Sequence, residues 1–249
     1  MRRLSRVFVP ALALIFLLCL IAPSADAASL LVIQTAATSG GFGYGYGNSD
    51  WTQMTAFLQA AFGVSNITVG SDTTGIMGYD RVWLDQRWSG GSLTPQEISD
   101  LTAFVATGRR AVFIGENNDW TLWNSQILGI VGGSYAGGEV DGVVNTILPS
   151  PLTNGVNSIL TIVDGIAVGG TPLFDQNVAT LWGSSENVLS ILSVNIMDDD
   201  FISNNDNLTF SNNTAQWLAG TVPEPSCVVL VAMGLGLLGG RVLWRRKKG

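Results

Sequence analysis

The chain has 249 residues, 12 Lys and Arg against 19 Asp and Glu, no His, and a formal net charge of −7. Between Ala28 and Gly220 only Arg81, Arg87, Arg109 and Arg110 stand against 17 acidic residues, a balance of −13 that excludes nucleic acid as a partner, since phosphate binding needs Lys and Arg to displace counterions. The same stretch holds no His, no Lys and no Cys, because Cys19 and Cys227 lie outside it; this excludes disulfides, a thiolate–imidazole nucleophile and a Ser-His-Asp triad.

Residues 1–27 read as a secretory signal. Arg2, Arg3 and Arg6 form a basic start, Val7 to Ile21 is apolar, Pro23 breaks the run, and Ala25-Asp26-Ala27 offers the small residues that signal peptidase accepts. The exported chain then begins near Ala28, handled by the Sec machinery. Leu30 to Thr35 (LLVIQT) predicts a buried first strand, followed by the loop AATSGGFGYGYGNSD. Ser49 or Asp50 is placed to cap a helix from Trp51 to Phe62, with Trp51, Met54, Phe57, Leu58 and Ala61 on one face and Gly63 as the stop. Asn66 to Val69 and Arg81 to Leu84 are short strands. In LTPQEISDLTAFVATGRR, Thr94 is the N-cap, Pro95 opens the helix and Glu97 completes a capping box, with Gly108 ending the turn.

Ala111 to Gly115 (AVFIG) predicts a strand buried on both faces, followed by a helix from about Asp119 to Ile130. Val140 to Leu148, Ile159 to Val163, Ala179 to Trp182 and Val188 to Ile196 read as extended, and a last helix runs from Asn207 to Leu218. The β-α-β-α order argues for an α/β domain with a mostly parallel sheet covered by helices on both faces. No repeat or linker divides residues 28–220, so they form one exported domain, and residues 221–249 stand apart from it.

The stretches TPQEISDLTAFVATGRRAVFIGENNDW, PLTNGVNSI and DDDFISNNDNLTFSNNTAQWLAG resemble the class I glutamine-amidotransferase-like superfamily, in its flavodoxin-like, non-amidotransferase branches. The resemblance implies a three-layer sandwich. Active members carry a Cys in a tight turn after a central strand and a His downstream. Here that turn reads FIGENND, with Glu116 and Asn117 at the elbow, so amidotransferase activity is expected to be absent.

Other residues suggest weaker chemistry. Tyr44 and Tyr46, in the Gly-rich loop at the carboxyl edge of the first strand, could stack on a sugar; Trp83, Trp88, Trp120 and Trp123 flank strand ends and suggest a carbohydrate cleft. The plainer reading is a surface loop and core tryptophans. Glu116 and Asp119 are the best-placed pair of carboxylates for glycoside hydrolysis, with Asp85 and Asp198 to Asp200 as further candidates. Asp198, Asp199 and Asp200, followed by Asn204, Asn205, Asp206 and Asn207, offer oxygen ligands for Ca2+, although EF-hand spacing is absent; the alternative is a solvated turn capping the last helix. No other cofactor is implied, and the sequons at Asn66, Asn207 and Asn212 matter only in a host that glycosylates them.

The end of the chain is more specific. Pro223-Glu224-Pro225, an apolar run from Cys227, and Arg245-Arg246-Lys247-Lys248 together resemble a PEP-CTERM sorting signal. The resemblance implies a Gram-negative host that makes exopolysaccharide, transient residence in the inner membrane through a transmembrane helix, and cleavage by an exosortase near the Pro-Glu-Pro. The alternative is a permanent anchor, and both readings leave the basic tail inside and the domain outside. Cys227 to Gly240 is 14 residues, with four glycines, short of the about 20 that span a bilayer, which favours a transient segment. These readings predict a non-catalytic surface domain associated with exopolysaccharide. The rivals are a hydrolase using paired carboxylates and a calcium-dependent adhesion module.

Overall fold

The structure, a computed structural model, describes residues 28–34, 44–87 and 91–220. The expected signal helix, residues 35–43, Trp88 and the whole of residues 221–249 lie outside the described residues, and with them the expected transmembrane helix. No helix among the described residues is long and apolar enough to cross a membrane.

The sheet begins with β1 (Leu30–Ile33), β2 (Ile67–Gly70), β3 (Arg81–Leu84) and β4 (Ala111–Ile114). The later strands are β5 (Ser134–Tyr135), β6 (Val140–Asn145), β7 (Ser158–Asp164), β8 (Ala167–Val168), β9 (Thr171–Pro172), β10 (Ala179–Trp182) and β11 (Val188–Ile191). The helices among the described residues are α1 (Thr52–Phe62), α2 (Pro95–Ala106), α3 (Thr121–Ile130) and α4 (Asn207–Ala219). Seven strands pair in the order β2-β1-β3-β4-β11-β10-β9. The first five are mutually parallel, in register Val32 with Val69 and Trp83, and Val112 with Leu189, while β10 runs antiparallel to both neighbours. The mixed, mostly parallel α/β architecture is therefore as the sequence predicts.

Strand alternation sorts the core onto the two faces of this sheet. Leu30, Val32, Trp83, Val112 and Ile114 pack under α1 and α4, meeting Met54, Leu58, Phe62, Phe210 and Leu218. Leu31, Ile33, Leu84 and Phe113 face the other way, against Leu101 and Phe104 of α2 and Trp123, Ile127 and Leu128 of α3. Because both faces are covered, β1, β4 and β11 are buried at every position. Gly115, just past β4, allows this closeness: a Cβ there would stand 2.5 Å from both Asn124 Oδ1 and a Leu192 methyl.

Three local expectations are corrected. Neither Ser49 nor Asp50 caps α1; residues 49–51 form a 3-10 turn, and the cap comes from Asp199. The strand expected over Val188 to Ile196 stops at Ile191, because the Val194 amide turns inward to Glu116 and residues 195–197 form another 3-10 turn. The strand expected to reach Leu148 ends at Asn145; β6 pairs only with β7, outside the large sheet, and Ile147 turns away to bond the carbonyl of Leu173. The α2 capping box is as read: Glu97 N donates to Thr94 Oγ1 at 3.2 Å and Thr94 N to Glu97 Oε2 at 2.8 Å.

Candidate functional site

Parallel strands deliver their following residues to one edge of the sheet, the usual place for a ligand in an open α/β fold. Here that carboxyl edge gathers Gln34 after β1, Asp85 after β3, Glu116 after β4 and Ser193 after β11. Glu116 is 3% exposed and its Oε2 accepts the amide of Val194 at 2.8 Å. Burial pushes its carboxyl up to about 8, against the pull of the Val194 and Asn117 amides. Asn124 holds the turn, its Oδ1 accepting Glu116 N at 3.1 Å and its Nδ2 donating to Glu116 O at 2.6 Å.

The partner of Glu116 is Asp164, which the sequence does not single out. Along β7, Ile159 and Thr161 point inward; then Val163 adopts φ 56° and is 36% exposed, while Asp164 is 0% exposed. The pairing records the same event: β6 advances from Val140 to Gly142 while β7 steps from Asp164 to Thr161, a bulge. A bulge with a left-handed β-branched residue reverses the in-out alternation and aims the next side chain inward. Burial and the neighbouring Glu116 charge hold the Asp164 carboxyl well above its ordinary range. Ser193 and Asn195 lie close enough to favour its charge, yet neither Oδ makes a hydrogen bond of proper geometry. Two buried carboxyls that feel each other's charge favour a state in which at least one keeps its proton.

Asp85 is a separate buried acid. It accepts Trp83 Nε1 at 2.6 Å, Tyr46 N at 3.1 Å and Gln34 Nε2 at 3.3 Å, and burial raises it to about 6 despite these bonds. These bonds fold the 44–48 turn onto the sheet. Gly45, at φ 117°, sits so close that a Cβ would meet Gln34 Nε2 at 2.8 Å.

The sequence-predicted residues are thus distributed over different roles. Tyr44 packs against the core and its hydroxyl is pushed up to about 12 by burial and by Asp198; Tyr46 is half-buried, its hydroxyl accepting Gln59 Nε2 at 3.2 Å. Trp120 is half-buried and donates Nε1 to the carbonyl of Arg87 at 2.6 Å, whereas Trp83 and Trp123 are core residues with no exposed face. Asp119 is exposed beyond the turn, so it does not share the interior with Glu116. Asp199 takes the amides of Thr52 and Gln53 at 3.0 and 3.1 Å, Asp198 takes the amide of Asp200 at 2.7 Å, and Asp206 takes that of Asn157 at 2.8 Å. Among the described residues no group of three or more acidic, His or Cys side chains converges as a metal site. The Asp198–Asp200 run is divided between helix capping and turn formation instead.

One open cleft of about 550 Å³ lies at the same edge, between the loop after β2, the segment after β3 and the start of α2. Asp72, Thr73, Arg87, Ser92, Gln96 and Asp100 line it. Arg87 and Glu97 form a buried ion pair in its wall, and Arg87 also donates to the carbonyl of Ser92 at 2.5 Å. The sequence offers α2's cap as local structure but gives no sign that the loop at Asp72 meets it.

Residues 221–247 match the PEP-CTERM protein-sorting motif. No curated protein matches the chain. Among solved structures it is similar to the mmIFT52 N-terminal domain, at 10% identity and TM-score 0.56 over 76% of this chain and 96% of that one. It is also similar to PurLQS from Thermotoga maritima, at 11% identity and TM-score 0.48 over 79% and 100% of the two chains. The exo-beta-1,4-mannosidase Op5Man5 from Opitutaceae bacterium strain TAV5 aligns at 11% identity and TM-score 0.47, over 80% of this chain and 37% of that one. The first of these likenesses shows a shared fold and nothing further. The sorting motif marks the chain as an exosortase-sorted surface protein, exported and held at the membrane before it is processed.

Proposed function

We propose that the body, residues 28–220, is a non-catalytic, flavodoxin-like module that holds neutral polysaccharide at the surface of a Gram-negative cell. The observation that carries this reading is the cleft at the carboxyl edge. Its hydroxyl, carboxamide and carboxylate groups, with one arginine fixed by Glu97, match the mixed donors and acceptors of sugar hydroxyls. The −13 charge of the body works against acidic polymers, so a neutral glycan is the better fit. Glu116 and Asp164 sit beneath the surface, which supports a structural role for them over attack on a glycosidic bond.

Protein released by an exosortase-bearing host is incubated on a glycan array and with the host's own polysaccharide. Retention of neutral glycans without turnover, weakened by Gln96→Ala or Asp100→Asn, is the expected result. Hydrolysis that disappears in Glu116→Gln, with the fold intact, would replace this reading with that of a hydrolase.

A further inference from the structure

Strand β7 ends on two residues whose positions are chemically inverted. Ile159 and Thr161 are buried on its inner face and Leu160 and Ile162 are half-buried on the other, so strict alternation would turn Val163 inward and Asp164 outward. That order would bury the valine and solvate the carboxylate. The strand does the reverse: Val163 is 36% exposed at φ 56°, and Asp164 is 0% exposed. Neither carboxylate oxygen of Asp164 has a hydrogen-bond partner. A positive φ strains a β-branched residue, and a buried polar group without a partner is costly as well. Two unfavourable features on adjacent residues, both relieved by one exchange, mark a segment with a second arrangement within reach.

The pairing shows what that second arrangement is. From Asn145 with Ser158 to Gly142 with Thr161 the β6–β7 register is regular, and it shifts only at Val140, which pairs with Asp164. Carrying the regular register on would set Val140 opposite Val163 and Glu139 opposite Asp164. The exchange therefore removes the bulge and leaves the rest of the ribbon in place. Glycines flank it on both strands, Gly142 at φ 108° and Gly165 directly after Asp164, and they supply the backbone freedom the change needs.

The charges around Asp164 decide between the two arrangements. Glu116, in the loop after β4, is the charged group that acts on it, while Ser193 and Asn195 beyond β11 are uncharged. Farther out, Tyr135 of β5 and Tyr44 of the 44–48 turn feel Glu116, and Asp198 acts on Tyr44. On the β6 side, Glu139 and Asp141 are exposed. Arg87 is paired with Glu97, and Arg81, Arg109 and Arg110 stand at the amino edge of the sheet. Among the described residues no cation offsets an ionised Asp164. An inward charge would face Glu116 in the interior, whereas an outward one would face only water and Glu139, whose repulsion solvent screens.

We infer that the bulge is one position of a proton-operated switch: protonated Asp164 lies inward with Val163 outward, and ionised Asp164 exchanges places with Val163 as β7 takes the regular pairing with β6. The outward surface of the ribbon thereby trades a valine for a carboxylate as the medium turns alkaline, in a domain that is exported. The inference does not depend on what the cleft binds.

The full chain, with Cys19 and Cys227 replaced by Ser, receives one cysteine at Val163→Cys or, as a reference on the same ribbon, at the exposed Val143→Cys. Labelling with an uncharged maleimide is timed for both, and their rate ratio cancels the common dependence on thiolate. The ratio should fall about tenfold from about pH 5 to about pH 9, and in the Asp164→Asn background it should stay at its acid value throughout. A second readout leaves position 163 unaltered: a soluble nitroxide should bleach the Val163 methyl resonances at the acid end and spare them at the alkaline end. A ratio that does not change with pH, or a fall that Asp164→Asn shares, would overturn the inference. So would a change that accompanies loss of the folded circular-dichroism signal, because Asp164 would then be a structural acid whose burial ends only with the fold.

Discussion

The carboxylate of Glu116 accepts the amide of Val194 at 2.8 Å, joining the loop after β4 to the loop after β11 over a span of 78 residues. This bond ends β11 and fixes an acid in the interior beside Asp164. It leaves both acids beneath the surface at the carboxyl edge of the sheet.

Stability should therefore fall as pH rises through neutrality. Glu116, raised to about 8, binds its proton more tightly in the folded state than its ordinary value of 4.5 allows when unfolded. Its contribution is complete below about pH 4.5 and is lost as pH passes 8; Asp85, raised to about 6, and Asp164 act in the same direction. Asp80 and Asp206, held low by the amides of Ser29 and Asn157, act the opposite way and lose their contribution in stronger acid. Denaturant melts between pH 4 and 9 should give a mildly acidic optimum. Glu116→Gln should flatten the alkaline limb, where each raised group costs up to about 1.4 kcal/mol per pH unit. An unchanged limb in that variant would remove Glu116 from the account.

Asp199 should matter to α1 and not to calcium. Its carboxylate caps the helix from 147 residues away, bonding the amides of Thr52 and Gln53. Asp199→Ala should destabilise the protein by about 1–2 kcal/mol, with Asp199→Asn milder. Chelation should leave the melting temperature where it is. A drop on adding EDTA, restored by Ca2+, would reinstate the metal reading.

The Arg87–Glu97 pair should be sensitive to removal of one partner. Both side chains are nearly buried, and Glu97 also completes the α2 capping box. Glu97→Ala should cost about 3–5 kcal/mol by leaving a buried guanidinium uncompensated, and urea melts would read it. A loss under about 1 kcal/mol would mean that Arg87 escapes to solvent through the cleft.

Val163 should be improvable. Its φ of 56° is strained for a β-branched residue, and glycine adopts it freely. Val163→Gly is expected to be neutral or to gain about 1 kcal/mol, despite glycine's greater entropy when unfolded. A loss above that size would show that Val163's side chain contributes packing at its half-exposed position.

Much of the architecture was legible in the sequence because it depends on neighbours in the chain. The α2 capping box needs only Thr94, Pro95 and Glu97 within one turn, and four apolar residues in a row suffice to mark β1 and β4 as buried strands. Absence was equally readable: without His, Lys or Cys in the body, whole classes of nucleophilic chemistry were excluded before any fold was known. The sorting motif is a linear signal, so order and composition alone identify it.

What the tertiary structure decided are pairings across long separations. Asp164 looks like an ordinary strand-end acid until a bulge at Val163 turns it toward Glu116, 48 residues earlier. Asp199 looks like part of an oxygen-rich run until α1 arrives to take its oxygens. The cleft joins loops after β2 and β3 to the start of α2, and Arg81 and Arg110 reach the carbonyls at the end of α4. In each case the same acidic or basic residue could have been solvated, and nothing local distinguishes the two fates. Burial and proximity are set by the packing of the whole sheet, so only the folded chain assigns them.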